Sequence, residues 1–180
     1  MRYVIDASVS ARWFLPTVLS ARAVQLRADY QNGVHELFAP ETILWETCNA
    51  LIKAERQSIL LPGQAPLFFL DFLSTQPILC GAASLVQQAM AIALRTRAGL
   101  YDCMYTVLAQ REHCAFITAD QRLVNNLQPH FPFIIPLSSL PQAVALLRQR
   151  KPWRGRGSFL TSRVPFMLST SLLNRRVILG

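Results

Sequence analysis

Short β-prone runs recur along this 180-residue chain, separated by stretches of helical period, and that alternation restricts the fold more than any other feature. Tyr3–Ile5, Leu37–Ala39, Cys114–Thr118 and Phe133–Ile135 read as strands, and Pro77–Leu79 as an extended connection or a further short strand. Ser8 to Phe14 begins a helix that Pro16 interrupts, and Thr17–Tyr30 follows, with Val18, Ala21, Leu26 and Tyr30 among its packing positions. Pro40–Gln57 is the clearest helix. Pro40 and Glu41 suit its start, and Ile43, Thr47, Ala50, Leu51 and Ala54 share one face. Gln64–Leu73, Ser84–Arg97, Leu100–His113, the short Gln121–Leu127 and an amphipathic Leu140–Arg150 complete the set. Strands joined through helices need crossover connections, so the expectation is an α/β fold: a parallel sheet with helices on both faces.

Charge divides the chain. Residues 1–120 hold nine Lys/Arg and all ten Asp/Glu, whereas residues 121–180 hold nine Lys/Arg and no acid. The net charge of +8 therefore belongs to the last third, and such a basic end attracts polyanions such as RNA, DNA or anionic lipid. From Lys151 onward Arg, Gly, Ser, Pro and Leu mix without a steady period. This sets a domain boundary near Arg150, with one domain over 1–150 and a basic, poorly ordered extension over 151–180. Trp153, Arg154, Arg156, Phe159 and Arg163 interleave aromatics with cations there, as single-strand binders do.

Cys48, Cys80, Cys103 and Cys114 form no C-x-x-C pair, which argues against a zinc knuckle and for small buried side chains in a reducing compartment. Asp6 falls where the apolar core of a signal peptide would lie. The uncharged runs Phe72–Leu94 and Leu123–Leu147 are broken by Pro, Gln and Asn. No membrane span is expected, and the location expected is cytoplasmic.

Four carboxylates stand out. Asp6 ends the first strand and Asp120 follows the strand Cys114–Thr118, so each either caps the next helix or walls a site. Asp102 lies in the first turn of its helix, where it can simply complement the dipole. Glu46 lies about 60° from Ile43, on the margin of a helix face, where a carboxylate is solvated or looks into a cleft. In a parallel sheet the carboxyl ends of the strands share one edge, and helices that run back start there. All four acids can then converge on one rim. Like charges held so close repel, and persist by holding protons or cations. Hard oxygen ligands suit Mg²⁺ or Mn²⁺.

Val4-Ile-Asp-Ala-Ser8, Leu44-Trp-Glu-Thr-Cys-Asn-Ala-Leu51, Leu100-Tyr-Asp-Cys-Met-Tyr105 and Thr118-Ala-Asp-Gln-Arg-Leu123, in that order, resemble the PIN-domain ribonucleases, and most of all their VapC-type toxin branch. The resemblance covers roughly Met1 to Leu140. It implies a three-layer α/β/α fold and a metal-dependent endoribonuclease acting on single-stranded RNA. Asp6, Glu46, Asp102 and Asp120 would hold Mg²⁺ or Mn²⁺, while Ser8 and Thr118 orient them. Water activated by the metal would attack the phosphodiester in line, leaving a 5′-phosphate and a 3′-hydroxyl. His35, His113 and His130 would take no part, and no organic cofactor is implied. The resemblance further implies a toxin–antitoxin pair, with a cognate antitoxin lying along the Pro40–Gln57 and Gln64–Leu73 helices, and a homodimer. Two departures are the extension past the usual domain end and Cys103, a thiol beside the site that would favour softer metals.

Other readings compete with this one. An RNA- or protein-binding module could keep the fold and cleave little, but the acid set is intact. A phospho-acceptor receiver needs adjacent acids after an early strand and a lysine on a late strand; the only lysines are Lys53 and Lys151. A haloacid-type phosphatase needs D-x-D where the chain has Asp6-Ala-Ser8.

Overall fold

The structure is a computed structural model, and it describes residues 1–140. The expected final helix at Leu140–Arg150, the boundary near Arg150 and the extension 151–180 lie outside the described residues.

Five short strands form one fully parallel sheet: β1 (Arg2–Ile5), β2 (Glu36–Pro40), β3 (Ile78–Cys80), β4 (Ala115–Thr118) and β5 (Ile134–Pro136). Their spatial order is β3-β2-β1-β4-β5. The chain thus builds outward from β1 through β2 to β3, then returns to place β4 on the other side of β1. The central strands carry the buried residues: Val4 and Ile5 of β1 are fully buried, as are Leu37 and Ala39 of β2 and Phe116 and Ile117 of β4, as expected of strands covered on both faces. Pro77–Leu79 resolves in favour of a strand, and its edge place in the sheet suits so short a run.

Among the described residues seven helices cover the sheet in a three-layer α/β/α arrangement: α1 (Ala7–Ser10), α2 (Ser20–Gln31), α3 (Ile43–Arg56), α4 (Gln64–Ser74), α5 (Val86–Thr96), α6 (Leu100–Arg111) and α7 (Gln121–Leu127). The expected helix over Ser8–Phe14 is a single turn, α1, running into a 3₁₀ turn at Ala11–Trp13. α2 starts at Ser20 rather than Thr17, because the Ser20 hydroxyl accepts the Thr17 N–H at 2.8 Å and donates back to the Leu15 carbonyl, closing a turn before the helix. Val18 is left 97% exposed and Ala21 also faces solvent; Leu26 is buried and Tyr30 packs against the core as expected, and Ala23 joins them. Pro40 belongs to β2, not to α3. It ends the strand where the ladder to β1 has already run out at Phe38, so its missing N–H leaves no gap there.

α3 buries Ile43, Thr47, Leu51 and Ala54, with Ala50 half-buried beside them. Leu51 and Ala54 close a small second core with Leu60 and Ala65 at the α3–α4 turn. That turn needs glycine: Gly63 has φ +85°, and Glu55 accepts the N–H groups of Gly63 (3.0 Å) and Ala65 (2.8 Å), capping α4 from the preceding helix. α6 is the core helix, packing on β1, β2 and β4, and it buries every residue from Cys103 to Ala109. Of the four cysteines only Cys103 is fully buried; Cys48, Cys80 and Cys114 are half-buried, and all are free. Among the described residues no helix is long and apolar enough to cross a membrane.

Candidate active site

The strand order places a reversal between β1 and β4, since the chain continues from one toward β2 and from the other toward β5. At such a reversal the connections leave in opposite directions and open a crevice beyond the carboxyl ends of the strands. Asp6 and Thr118 sit at that place. Ile5 pairs with Ile117, so the next residues, Asp6 and Thr118, come level across the two strands.

Asp6 is 6% exposed, and every hydrogen bond it accepts serves to hold it. Its Oδ1 accepts the Ser8 hydroxyl at 2.6 Å and the Val9 N–H at 3.1 Å, which caps α1. Its Oδ2 accepts the Thr118 hydroxyl at 2.5 Å. The two hydroxyls are tied in turn to the β4–α7 connection: Ser8 Oγ accepts the Ala119 N–H at 2.8 Å and Thr118 Oγ1 accepts the Asp120 N–H at 3.0 Å. Asp120 caps α7 through Oδ1, which accepts from the N–H groups of Arg122 (2.8 Å) and Leu123 (3.4 Å). Both strand-end acids therefore cap helices and still face the crevice, so the two readings open at the level of sequence are not exclusive.

Glu46 and Asp102 enter from the helices. α6 carries Asp102 in its first turn and Tyr105 one turn later. The Tyr105 hydroxyl, 1% exposed and stacked on Phe116 of β4 at 5.7 Å, donates to Glu46 Oε1 at 3.0 Å. One buried phenol thus joins α3, α6 and β4. Asp102 is held less firmly. It lies against Gly99, where an added Cβ would come within 3.1 Å of Oδ2, so a side chain at that position would crowd the carboxylate.

The electrostatics report the convergence. Burial, then the charges of Asp6, Asp120 and Glu46, push the Asp102 carboxyl up to about 6. Burial raises Glu46, with Asp6 adding to it and the Tyr105 hydroxyl opposing. Burial also raises Asp6, against the pull of its Ser8, Thr118 and backbone hydrogen bonds. The four sequence-predicted acids share one rim. Among the described residues, however, no three His, Cys, Asp or Glu side chains close on one another as a ready-made cation cage. The rim is open rather than closed. Cys103 is fully buried, and burial with the Asp102 charge pushes its thiol up to about 11 in the metal-free site.

Sequence reasoning missed three polar residues of the site. Tyr105 closed the Leu100–Tyr105 motif with no role assigned to it; only the approach of α3 to α6 shows its hydroxyl donating to Glu46. Ser10 and Thr47, both fully buried, share a hydrogen bond of 2.6 Å that pins α1 to α3 beneath the rim. The histidines stay out of the rim: His35 packs edge-on to Tyr3 at 5.2 Å, His113 closes the turn after α6 with φ +49°, and His130 is exposed.

The comparisons with known proteins agree with this geometry. The model of the PIN domain family matches residues 3–126, a span that includes all four acids. No curated protein matches. Among solved structures, the crystal structure of PAE2754 from Pyrobaculum aerophilum superposes with a TM-score of 0.59 at 19% identity, covering 83% of this chain and 100% of that one. At that identity the likeness speaks for the fold alone. With five parallel strands in this order, the acid rim at the sheet reversal and a family match across more than half of its length, the chain belongs to the PIN-domain family.

Proposed function

We propose that this protein is a divalent-metal-dependent endoribonuclease that cleaves single-stranded RNA, acting as the toxin of a toxin–antitoxin pair. PIN domains are generally nucleases. The observation that carries the reading is the arrival of four carboxylates from four separate segments at the sheet reversal, with Asp102 raised to about 6 by burial and by the other three acids. A rim built that way is under repulsion until positive charge enters it.

The donor set fits a hard cation. It offers carboxylate oxygens, with hydroxyl groups behind them, and no imidazole or thiolate. Mg²⁺ keeps several waters and takes one or two carboxylates plus substrate phosphate oxygens, so it does not require an all-protein cage. Asp6, Glu46, Asp102 and Asp120 are the residues that would hold Mg²⁺ or Mn²⁺. Such an ion acidifies water and stabilises charge on a phosphodiester. The chain's own part is positioning. Ser8 and Thr118 fix both oxygens of Asp6 and link it to the Asp120 backbone, Tyr105 turns Glu46, and Gly99 leaves room for Asp102.

An antitoxin and a second copy of the chain belong to the same proposal. What supports a protein partner is the exposure of Leu67 and Leu70 on α4, at 64% and 63%. What supports self-association is a separate exposed row on α5, Val86, Met90 and Leu94.

The test is cleavage of labelled total RNA by the purified chain with and without Mg²⁺ or Mn²⁺, beside Asp6→Asn and Asp102→Asn. Metal-dependent cleavage that both substitutions abolish is the expected result. RNA bound but left uncut by wild type and both variants alike would replace the nuclease with a binding module.

A further inference from the structure

A groove of about 550 Å³ leaves the acid rim at Ser8 and Glu46 and runs between the α1 turn and α3 toward the α3–α4 bend. Glu46, Asn49, Lys53 and Gln57 line it at i, i+3, i+7 and i+11, a spacing that stacks them in one polar row along the helix. Lys53 lies two turns from Glu46, roughly 10 Å along the axis. Apart from Ser8 and Arg12, the rest of the lining is apolar: Ala50 and Ala54 lie beside the row with Ala7, Ala11, Leu15 and Ile59, and the small alanines let a polymer backbone come close to the polar row.

Arg12 forms the opposite wall. Its Nη1 donates to the Ser8 carbonyl at 2.5 Å, which fixes the guanidinium beside the rim. Its Nε is buried without an acceptor. Neither Arg12 nor Lys53 is in an ion pair with a carboxylate among the described residues; they share this with Arg22, Arg56, Arg95, Arg97 and Arg122, and differ from those in lining the groove. Two cations without counter-charge therefore border a groove that opens onto four acids. A polyanion drawn to the rim for cleavage is repelled by those acids and needs compensating charge next to them.

From this we propose that the groove is the track for the strand flanking the scissile bond. Arg12 takes the phosphate next to the rim in its planar fork, and Lys53 takes one farther along. This rests on the nuclease reading and names the part of the site that grips substrate. The occupant is a single strand, since the row offers side-chain amides and point charges along one wall and no fit to a duplex groove is required.

The experiment measures binding of a labelled single-stranded RNA oligonucleotide across a salt series with Mg²⁺ present, in an Asp102→Asn background that prevents cleavage. It compares Lys53→Ala with Arg56→Ala, which removes the same charge from the same helix outside the groove. Lys53→Ala is expected to weaken binding about tenfold and to lower the slope of log affinity against log salt by about 0.7, the value for one lost single-strand phosphate contact. Arg56→Ala should change neither. Arg12→Lys, which keeps the charge and loses the fork, should raise KM in the otherwise wild-type enzyme while its melting temperature stays within a few degrees. Equal effects of Lys53→Ala and Arg56→Ala, or none from either, overturn the track even if cleavage proceeds normally, and leave the groove to a protein partner. Lys53-dependent binding by a wild-type chain that never cuts RNA would instead keep the track and remove the nuclease.

Discussion

Asp102 is the residue on which function and stability pull apart. Its folded pKa of about 6 lies above its ordinary value of 3.8, so the folded state binds the proton more tightly than the unfolded state does. Without metal, the contribution of Asp102 to stability is then fully present below about pH 4 and is lost as the pH rises through about 6. Asp102→Asn removes the charge and this pH dependence. It should stabilise the metal-free protein at pH 7 by about 1 kcal/mol once solvent screening is allowed for, seen as a Tm higher by about 2–4 °C in thermal melts. The same substitution should abolish cleavage. Thr118 behaves in the opposite way. It is fully buried and serves Asp6 and the Asp120 N–H at once, so Thr118→Val leaves a buried carboxylate short of a donor. Chemical denaturation should show a loss of about 1.5–3 kcal/mol, with Thr118→Ser keeping most of it.

At the scale of elements, α2 and α4 are coupled through one guanidinium. Arg27 lies over Trp13 at 5.2 Å and Phe14 at 5.1 Å, donates to Asp71 at 2.7 and 3.1 Å, and reaches Thr75 at 2.6 Å. Its hydrogen bond and charge hold the Asp71 carboxyl below the usual range. Arg27→Lys keeps the charge but loses the planar stack and the paired donors. It should cost about 1–2 kcal/mol in denaturant unfolding, although the substitution is conservative in charge. α6 has the other structural duty. It carries Asp102 and Tyr105 on successive turns, so any change in how it seats on β1 and β4 moves two parts of the rim together.

For the whole molecule the charge distribution gives the clearest expectation. Residues 1–140 contain ten Lys/Arg and ten Asp/Glu, so the net charge of +8 comes from residues 141–180. The full chain should be retained on a polyanion column at low salt and elute as salt rises. A chain ending at Leu140 should elute at clearly lower salt, and retention equal to that of the full chain would refute the assignment of the main affinity to the basic end.

The sequence by itself determined the order and type of the elements, because period and apolar content are local properties: β1 is apolar because both its faces are covered, and α3 shows its buried face in its own spacing. It also singled out Asp6, Glu46, Asp102 and Asp120 as candidates, since strand ends and first helical turns can be recognised without knowing their neighbours. Element edges were less certain. Pro40 suits a helix start as well as a strand end, and only pairing with β3 assigns it to the strand. The placement of β4 beside β1 was decided by tertiary structure alone. So were the distance and partner of the Thr118 hydroxyl bond to Asp6, 112 positions away, which the family resemblance anticipated only as a role, the Tyr105–Glu46 bond and the two cations lining one groove. Each depends on which segments become neighbours, and a chain's local chemistry carries no record of that distance.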